Sequence, residues 1–260
     1  GYKAAPVQLT GIGYMSTSGL KAVDYYLSDR FLDPPGEGDA HFSEKLLRLS
    51  HSHFCYTPFE KIFKSTVDWR PHERPVFGCF NNSAKISDDM LRLWHTLLVR
   101  VPGAKLLLKA WKPELLQRRA ISLGYRQEEI EVRPMTLDYI HEYMDMDVAL
   151  DTFPYTGGGT TCEAIYMGTP VVTLAGTRHG TRFGLSLLEN VGLGELAANT
   201  PEEYVEKAAA LASDGELLAA LHGNLRRMMQ NSLVMDGRSY VREVEAMYGE
   251  IWQEWLDGGE

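Results

Sequence analysis

Between residues 75 and 176 short apolar runs alternate with amphipathic segments, and this rhythm limits the possible folds more than any other feature of the chain. PVFGCF (75–80) is followed by SDDMLRLWHTLLVRV (87–101), which has helical spacing behind a Ser N-cap, with Asp88 and Asp89 in the first turn. AKLLLKA (104–110) leads into PELLQRRAISLG (113–124), with proline at its start and glycine past its end. IEVRP (130–134), a helix over TLDYIHEYM (136–144), DVALDT (147–152), a helix around CEAIYMG (162–168) and PVVTLAG (170–176) continue the pattern. Beyond 180 only helices are legible. Short strands alternating with helices predict an α/β fold, a Rossmann-like, doubly wound parallel sheet covered on both faces, over residues 75–235.

The flanks are less regular. PVQLTGIGYMSTSG (6–19) reads as a strand running into a Ser/Gly turn, followed by the amphipathic LKAVDYYLSD and a Pro/Gly-rich loop over 33–44. An aromatic, irregular stretch then ends in VDWRPHERP, which places a domain boundary near residue 74. At the other end, Val241, Val244, Met247, Tyr248, Ile251 and Trp255 fall at helical spacing within 238–256. That helix either packs on its own domain or crosses back to a preceding lobe.

Composition narrows the partners. A net charge of −9 argues against a nonspecific nucleic-acid binder, which needs a basic surface to displace counterions. No apolar run approaches the ~20 residues of a membrane span, and GYKAAPVQLT lacks the basic head and apolar stretch of a signal peptide, so a cytoplasmic protein without membrane contact is expected. Cys55, Cys79 and Cys162 form no CxxC pair, and His51, His53, His72, His95, His141 and His179 show no paired ligand spacing. The DMD triplet at 145–147 precedes a strand and reads as solvated flanks. No metal and no cofactor are expected.

In a doubly wound sheet, ligands sit beyond the carboxyl ends of the strands, where strand order reverses. The candidate strand ends agree in chemistry. FNNSAKIS (80–87) offers the amides of Asn81 and Asn82 and the ammonium of Lys85, able to hold a phosphate oxygen. After IEVRP come backbone groups at Pro134 for a base edge, then Tyr139, either a stacking face or a core tyrosine. DTFPYTGGGTTCEA (151–164) places Gly158, Gly159, Thr160 and Thr161 at a helix start, where main-chain N–H groups suit an anion. Glu163, expected in the first turn, either complements the helix dipole or accepts from a ribose hydroxyl pair. Together these groups describe a site for a nucleoside diphosphate.

FGCFNNSAKIS, DVALDTFPYTGGGTTCEAIYMGTPVVTLAG and TSGLKAVDYYLSD strongly resemble the catalytic region of O-linked N-acetylglucosamine transferases and Spindly-type proteins, glycosyltransferases of the GT-B fold. The resemblance covers nearly the whole chain. It implies the C-terminal domain of a GT-B enzyme plus a remnant of the N-terminal catalytic lobe in 1–74, its final strand and turn only, with 236–260 as the C-terminal helix. It implies inverting, metal-independent transfer of a sugar, typically N-acetylglucosamine, from a uridine diphosphate sugar to Ser or Thr of a protein or peptide acceptor. Fucose from a guanosine diphosphate donor is the plant Spindly variation. By position, Lys85 matches the lysine that contacts the diphosphate and stabilises the leaving group, and Asn82 a Gln or Asn donor near it. Thr160 and Thr161 match threonines by the phosphates, Glu163 the ribose-binding acid, and Gly19 the turn glycine near the sugar. Tyr139 stands where a histidine often stacks on uracil, and Gly158 or Gly159 replaces another common histidine, which leaves base selectivity open. The family's N-terminal lobe, with its candidates for the general base, has no counterpart here, and tetratricopeptide-like repeats are expected upstream of it. A module that binds the nucleotide sugar without catalysis, or a GT-B enzyme with another donor or acceptor, remains the alternative.

Overall fold

Two parallel sheets organise the chain in the computed structural model, which describes residues 2–13 and 15–258. The first is formed by β1 (Leu9–Thr10), β2 (Tyr25–Asp29) and β3 (Lys45–Leu49), in that order. This corrects the expectation of a single strand and turn here. LKAVDYYLSD holds the wholly buried central strand β2. A short α1 (Glu60–Lys64) lies in the connection to the second sheet.

The second sheet comprises β4 (Val76–Cys79), β5 (Lys105–Ala110), β6 (Ile130–Pro134), β7 (Val148–Leu150), β8 (Val171–Leu174) and β9 (Ala197–Ala198). Around them lie α2 (Asp88–Arg100), α3 (Pro113–Ser122), α4 (Gly159–Tyr166), α5 (Phe183–Val191), α6 (Pro201–Ser213), α7 (Gly215–Gln230) and α8 (Gly237–Leu256). The order is β6-β5-β4-β7-β8-β9, all parallel, so the sheet winds outward in both directions from β4 and β7. That pair is the switch point.

Local chemistry explains these elements. Leu106, Leu107 and Leu108 are consecutive and all buried, as a strand covered on both faces requires, and each contributes about 1.5–3 kcal/mol of burial. In α2 the Ser87 side chain accepts from Met90 N at 3.2 Å, and Met90, Leu91, Trp94, Leu97 and Leu98 form the buried stripe. Trp94 Nε1 donates to Tyr204 Oη (3.1 Å), and Tyr204 Oη donates to the carbonyl of Asp151 (2.9 Å), so α2 and α6 together brace the end of β7.

Two sequence expectations change. TLDYIHEYM is not an α-helix; a 3₁₀ segment runs over Ile140–Asp145 and buries Ile140 and Tyr143, a three-residue spacing that suits three residues per turn. Beyond residue 180 there is also a strand, β9, too short and too alanine-rich to carry a strand pattern. The helix α8 lies against the first sheet: Ser50 N donates to Glu243 (2.6 Å), Tyr25 Oη to Glu254 (3.0 Å), and Tyr240 Oη to the carbonyl of His53 (3.2 Å). Ile251 is buried, whereas Val241, Tyr248 and Trp255 stay exposed. No described helix is long and apolar enough to cross a membrane.

Candidate active site

The chain leaves β4 as Phe80-Asn81 and leaves β7 as Asp151-Thr152, so the two loops start side by side at the switch point. Asn81 joins them. Its Nδ2 donates to Asp151 Oδ1 (3.0 Å) and Thr152 Oγ1 (3.1 Å), while its Oδ1 accepts from the Thr160 hydroxyl. Asp151 Oδ1 also accepts from Thr152 N (2.8 Å) and Gly157 N (2.7 Å), and Oδ2 from Thr173 Oγ1 (2.7 Å). Full burial still dominates over those donors and raises the Asp151 carboxyl to about 6. A cavity of about 20 Å³, lined by Asn81, Tyr143, Asp151, Thr160 and Thr161 among others, lies behind this junction.

Lys85 stands at the rim. It is half-buried, its Nζ donates to the carbonyl of Thr156 (3.1 Å), and it lies 3.6 Å from the centroid of the Tyr155 ring. Among the described residues it forms no salt bridge, so none of its three N–H donors has an anionic partner. Burial lowers its pKa, against the opposing pull of Asp151 and the Cys79 thiol. A partly desolvated ammonium exerts more force on an incoming anion than one in bulk water.

The N-terminus of α4 faces the same region. Its N-cap is Gly158, which has no side chain to accept from the first-turn amides. Gly157 is held in a tight place: a Cβ there would lie 2.5 Å from Thr161 Oγ1 and 2.9 Å from both Asn81 Oδ1 and Thr160 Oγ1. One at Gly159 would meet nothing within 4 Å. Gly157→Ala is therefore expected to cost about 1–3 kcal/mol of stability through overpacking, and Gly159→Ala to stay within about 0.5 kcal/mol. Urea unfolding of the two variants checks the contrast; equal effects would contradict it.

The remaining expected residues occupy distinct places. Glu163 is the fifth residue of α4 and not in its first turn, because the helix begins at Gly159, ahead of the CEAIYMG segment. Its carboxylate is buried and accepts from Tyr139 Oη (2.8 Å) and Tyr143 Oη (3.3 Å); burial raises its pKa despite both hydrogen bonds. Tyr139 thus binds Glu163 through its hydroxyl with its ring half-buried. Asn82 is exposed and accepts from Ala84 N (3.0 Å), capping its own turn, so the link between the two loops falls to Asn81. Pro134 is exposed at the end of β6. Gly19 has φ +66 in an exposed turn of the first layer, where the Glu44 carboxylate gathers Thr17 Oγ1 (2.6 Å) and Ser18 N (2.7 Å). Those hydrogen bonds outweigh burial and hold the Glu44 carboxyl at about 2.

The DMD aspartates have structural partners. Asp145 pairs with Arg133, and Asp147 accepts from Trp69 Nε1 (3.1 Å), His72 Nδ1 (2.8 Å) and Val76 N (2.7 Å). Among the described residues no group of three His, Cys, Asp or Glu side chains is placed to hold a metal. Sequence reasoning passed over Asp151, Thr156 and Gly157. Asp151 was detectable as the acid that directly follows the strand beside the switch point.

Parallel sheets surrounded by helices in this way match the fold of GT-B glycosyltransferases; WaaG, a glycosyltransferase involved in lipopolysaccharide biosynthesis, superposes with a TM-score of 0.57 over 88% of this chain and 64% of its own at 15% identity. The chain belongs to glycosyltransferase family 41, whose family model matches residues 57–244. A mutant form of the O-GlcNAc transferase of Thermobaculum terrenum is similar over 98% of this chain and 50% of its own, with a TM-score of 0.87 and 36% identity. The probable UDP-N-acetylglucosamine–peptide N-acetylglucosaminyltransferase SPINDLY of Solanum lycopersicum is 39% identical over 98% of this chain, and the corresponding SEC protein of Arabidopsis thaliana 30% identical over 95%. The chain spans 28% and 27% of the length of those two relatives.

Proposed function

We propose that this chain is the donor-binding region of an inverting, metal-independent glycosyltransferase that moves a sugar, N-acetylglucosamine in the first instance, from a uridine diphosphate sugar to Ser or Thr hydroxyls of proteins. The observation that carries the reading is Lys85: a half-buried ammonium without a carboxylate partner among the described residues, at the rim of a switch point that also presents the uncapped start of α4. The names of the relatives, which specify a UDP-N-acetylglucosamine donor and a peptide acceptor, support the choice of donor and acceptor class.

In the proposed reaction an acceptor oxygen forms a bond to the anomeric carbon from the face opposite the departing diphosphate, and the glycosidic C–O bond to phosphate breaks. Negative charge grows on the leaving diphosphate, where preorganised donors lower the barrier most. Lys85 supplies the cation and the first-turn amides of α4 supply dipoles. Glu163, steadied by Tyr139 and Tyr143, keeps free lone pairs on both oxygens for a ribose hydroxyl. The proton acceptor for the attacking hydroxyl is expected in the N-terminal lobe.

Calorimetric titration tests the site. UDP, UDP-N-acetylglucosamine and GDP are titrated against the chain and against Lys85→Ala and Glu163→Ala. Expected affinities lie between millimolar and micromolar, roughly −4 to −8 kcal/mol, and both variants bind more weakly. Unchanged binding in both variants removes the proposed site; tighter binding of GDP than UDP redirects the donor assignment.

A further inference from the structure

Asp33 follows β2 in the first layer and is fully buried, yet the donor site lies on the second sheet. Its Oδ2 accepts from His179 Nδ1 at 2.6 Å and from the Ser28 hydroxyl. His179 is itself buried, boxed by the rings of Tyr26, His53 and Phe183 at centroid distances of 5.2–5.4 Å. It sits in the turn that follows β8. A second tether holds the same turn, since Arg182 Nε donates to the carbonyl of Phe31 (2.8 Å) and Arg182 Nη1 to that of Gly176 (2.8 Å).

The next residue carries the link onward. The Gly180 carbonyl accepts from Thr156 N (3.2 Å) and Thr156 Oγ1 (3.0 Å), and Thr156 Oγ1 in turn accepts from Phe183 N (3.1 Å). Thr156 is fully buried, and its own carbonyl is the acceptor that fixes Lys85 Nζ. A continuous path of hydrogen bonds, joined covalently within His179–Gly180 and within Thr156, therefore runs from Asp33 to the ammonium at the donor site.

We infer that Asp33 and His179 are positioning residues for Lys85: they set the height of the 176–182 turn, and through Thr156 the place of the ammonium that meets the diphosphate. The inference rests on the donor-site reading above. Nothing in it requires His179 to touch the ligand. Its consequence is that the first layer, which contains no residue of the switch point, governs how well the second sheet holds a phosphate.

The test is a double-mutant cycle on the full chain, read by calorimetry with two probes: whichever of UDP and GDP binds the wild type more tightly, and the corresponding nucleoside. His179→Ala is expected to weaken diphosphate binding about tenfold (~1.4 kcal/mol) and leave nucleoside binding unchanged. In a Lys85→Ala background the same change is expected to have no further effect, because its path ends at the missing ammonium. His179→Asn, which keeps a side-chain N–H for Asp33, restores most of the loss. Should His179→Ala not fold, as judged by its thermal melt, Thr156→Val serves instead, deleting the hydroxyl link while keeping the shape. A loss that adds in full to that of Lys85→Ala, an equal loss for the nucleoside, or unchanged diphosphate binding overturns the inference. If Lys85→Ala itself leaves diphosphate binding intact, the donor-site reading falls and takes the inference with it.

Discussion

Replacing Lys85 with alanine in the full-length enzyme is expected to lower kcat by two to three orders of magnitude, about 3–4 kcal/mol of transition-state stabilisation, with a smaller change in KM. The split follows from where the charge is. A bound donor already carries a diphosphate, so the ammonium favours the ground state somewhat; as the bond to the sugar breaks, a further negative charge appears on the leaving oxygen, and only the increment speeds the reaction. Lys85 is suited to that increment because its nearest acceptor is a neutral carbonyl and its nearest ring a tyrosine, so its charge is not already neutralised by an adjacent carboxylate. The contact with Tyr155 is worth ~0.5–2 kcal/mol and holds the ammonium in place rather than quenching it. Lys85→Arg is expected to rescue poorly, since a planar fork cannot reproduce a compact point charge beside the Thr156 carbonyl. Peptide glycosylation kinetics with the alanine and arginine variants measure this. A kcat within threefold of wild type for Lys85→Ala, in a protein that melts normally, would remove Lys85 from the leaving-group role.

How much of this was legible in the chain depends on what sets each element. Strands β4 to β8 and helices α2 and α3 announced themselves because their burial is local and repetitive: three successive leucines in β5, a stripe of apolar residues in α2 behind its serine cap. The strand β2 did not, for a physical reason. Ser28 and Asp29 in YYLSD are both fully buried, and Asp29 is satisfied by the amides of Phe31, Leu32 and His53 and by the Ser186 hydroxyl. No periodicity reveals a polar residue whose partner stands far along the sequence. The site divides in the same way. Lys85 and the glycine-rich loop have compositions that suggest an anion, whereas Asn81 and Asp151 act through contacts between loops separated by about seventy residues, which only the strand order brings together.

A second large effect is expected at Asp151, and it depends on which residue replaces it. Asp151→Ala leaves Thr152 N, Gly157 N and the Thr173 hydroxyl without their acceptor inside the protein and Asn81 Nδ2 with Thr152 Oγ1 alone, and is expected to cost about 3–5 kcal/mol. Asp151→Asn keeps one oxygen for the three donors on Oδ1, while the Thr173 hydroxyl can rotate to accept from the new amide, so the fold survives and the buried charge is gone. The two replacements thus separate hydrogen bonding from charge. The pH dependence makes the separation measurable. In the fold this carboxyl holds its proton up to about 6, against 3.8 in the unfolded chain, so between those values the native state binds more protons. Stability from this group is therefore present in full below 3.8 and falls as pH rises to about 6, by roughly 3 kcal/mol. Carboxyls with lowered pKa, Glu44 among them, act in the opposite direction at more acid pH, so the difference between wild type and Asp151→Asn isolates the term. Urea unfolding from pH 4.5 to 7 is expected to show the asparagine variant gaining on the wild type as pH rises, and a constant difference would mean that the carboxyl titrates normally. The ionised carboxylate nonetheless has an effect at neutral pH that the amide lacks: its field opposes the lowering of the Lys85 pKa by burial, so the charge that destabilises the fold favours the charged form of the lysine proposed to meet the diphosphate.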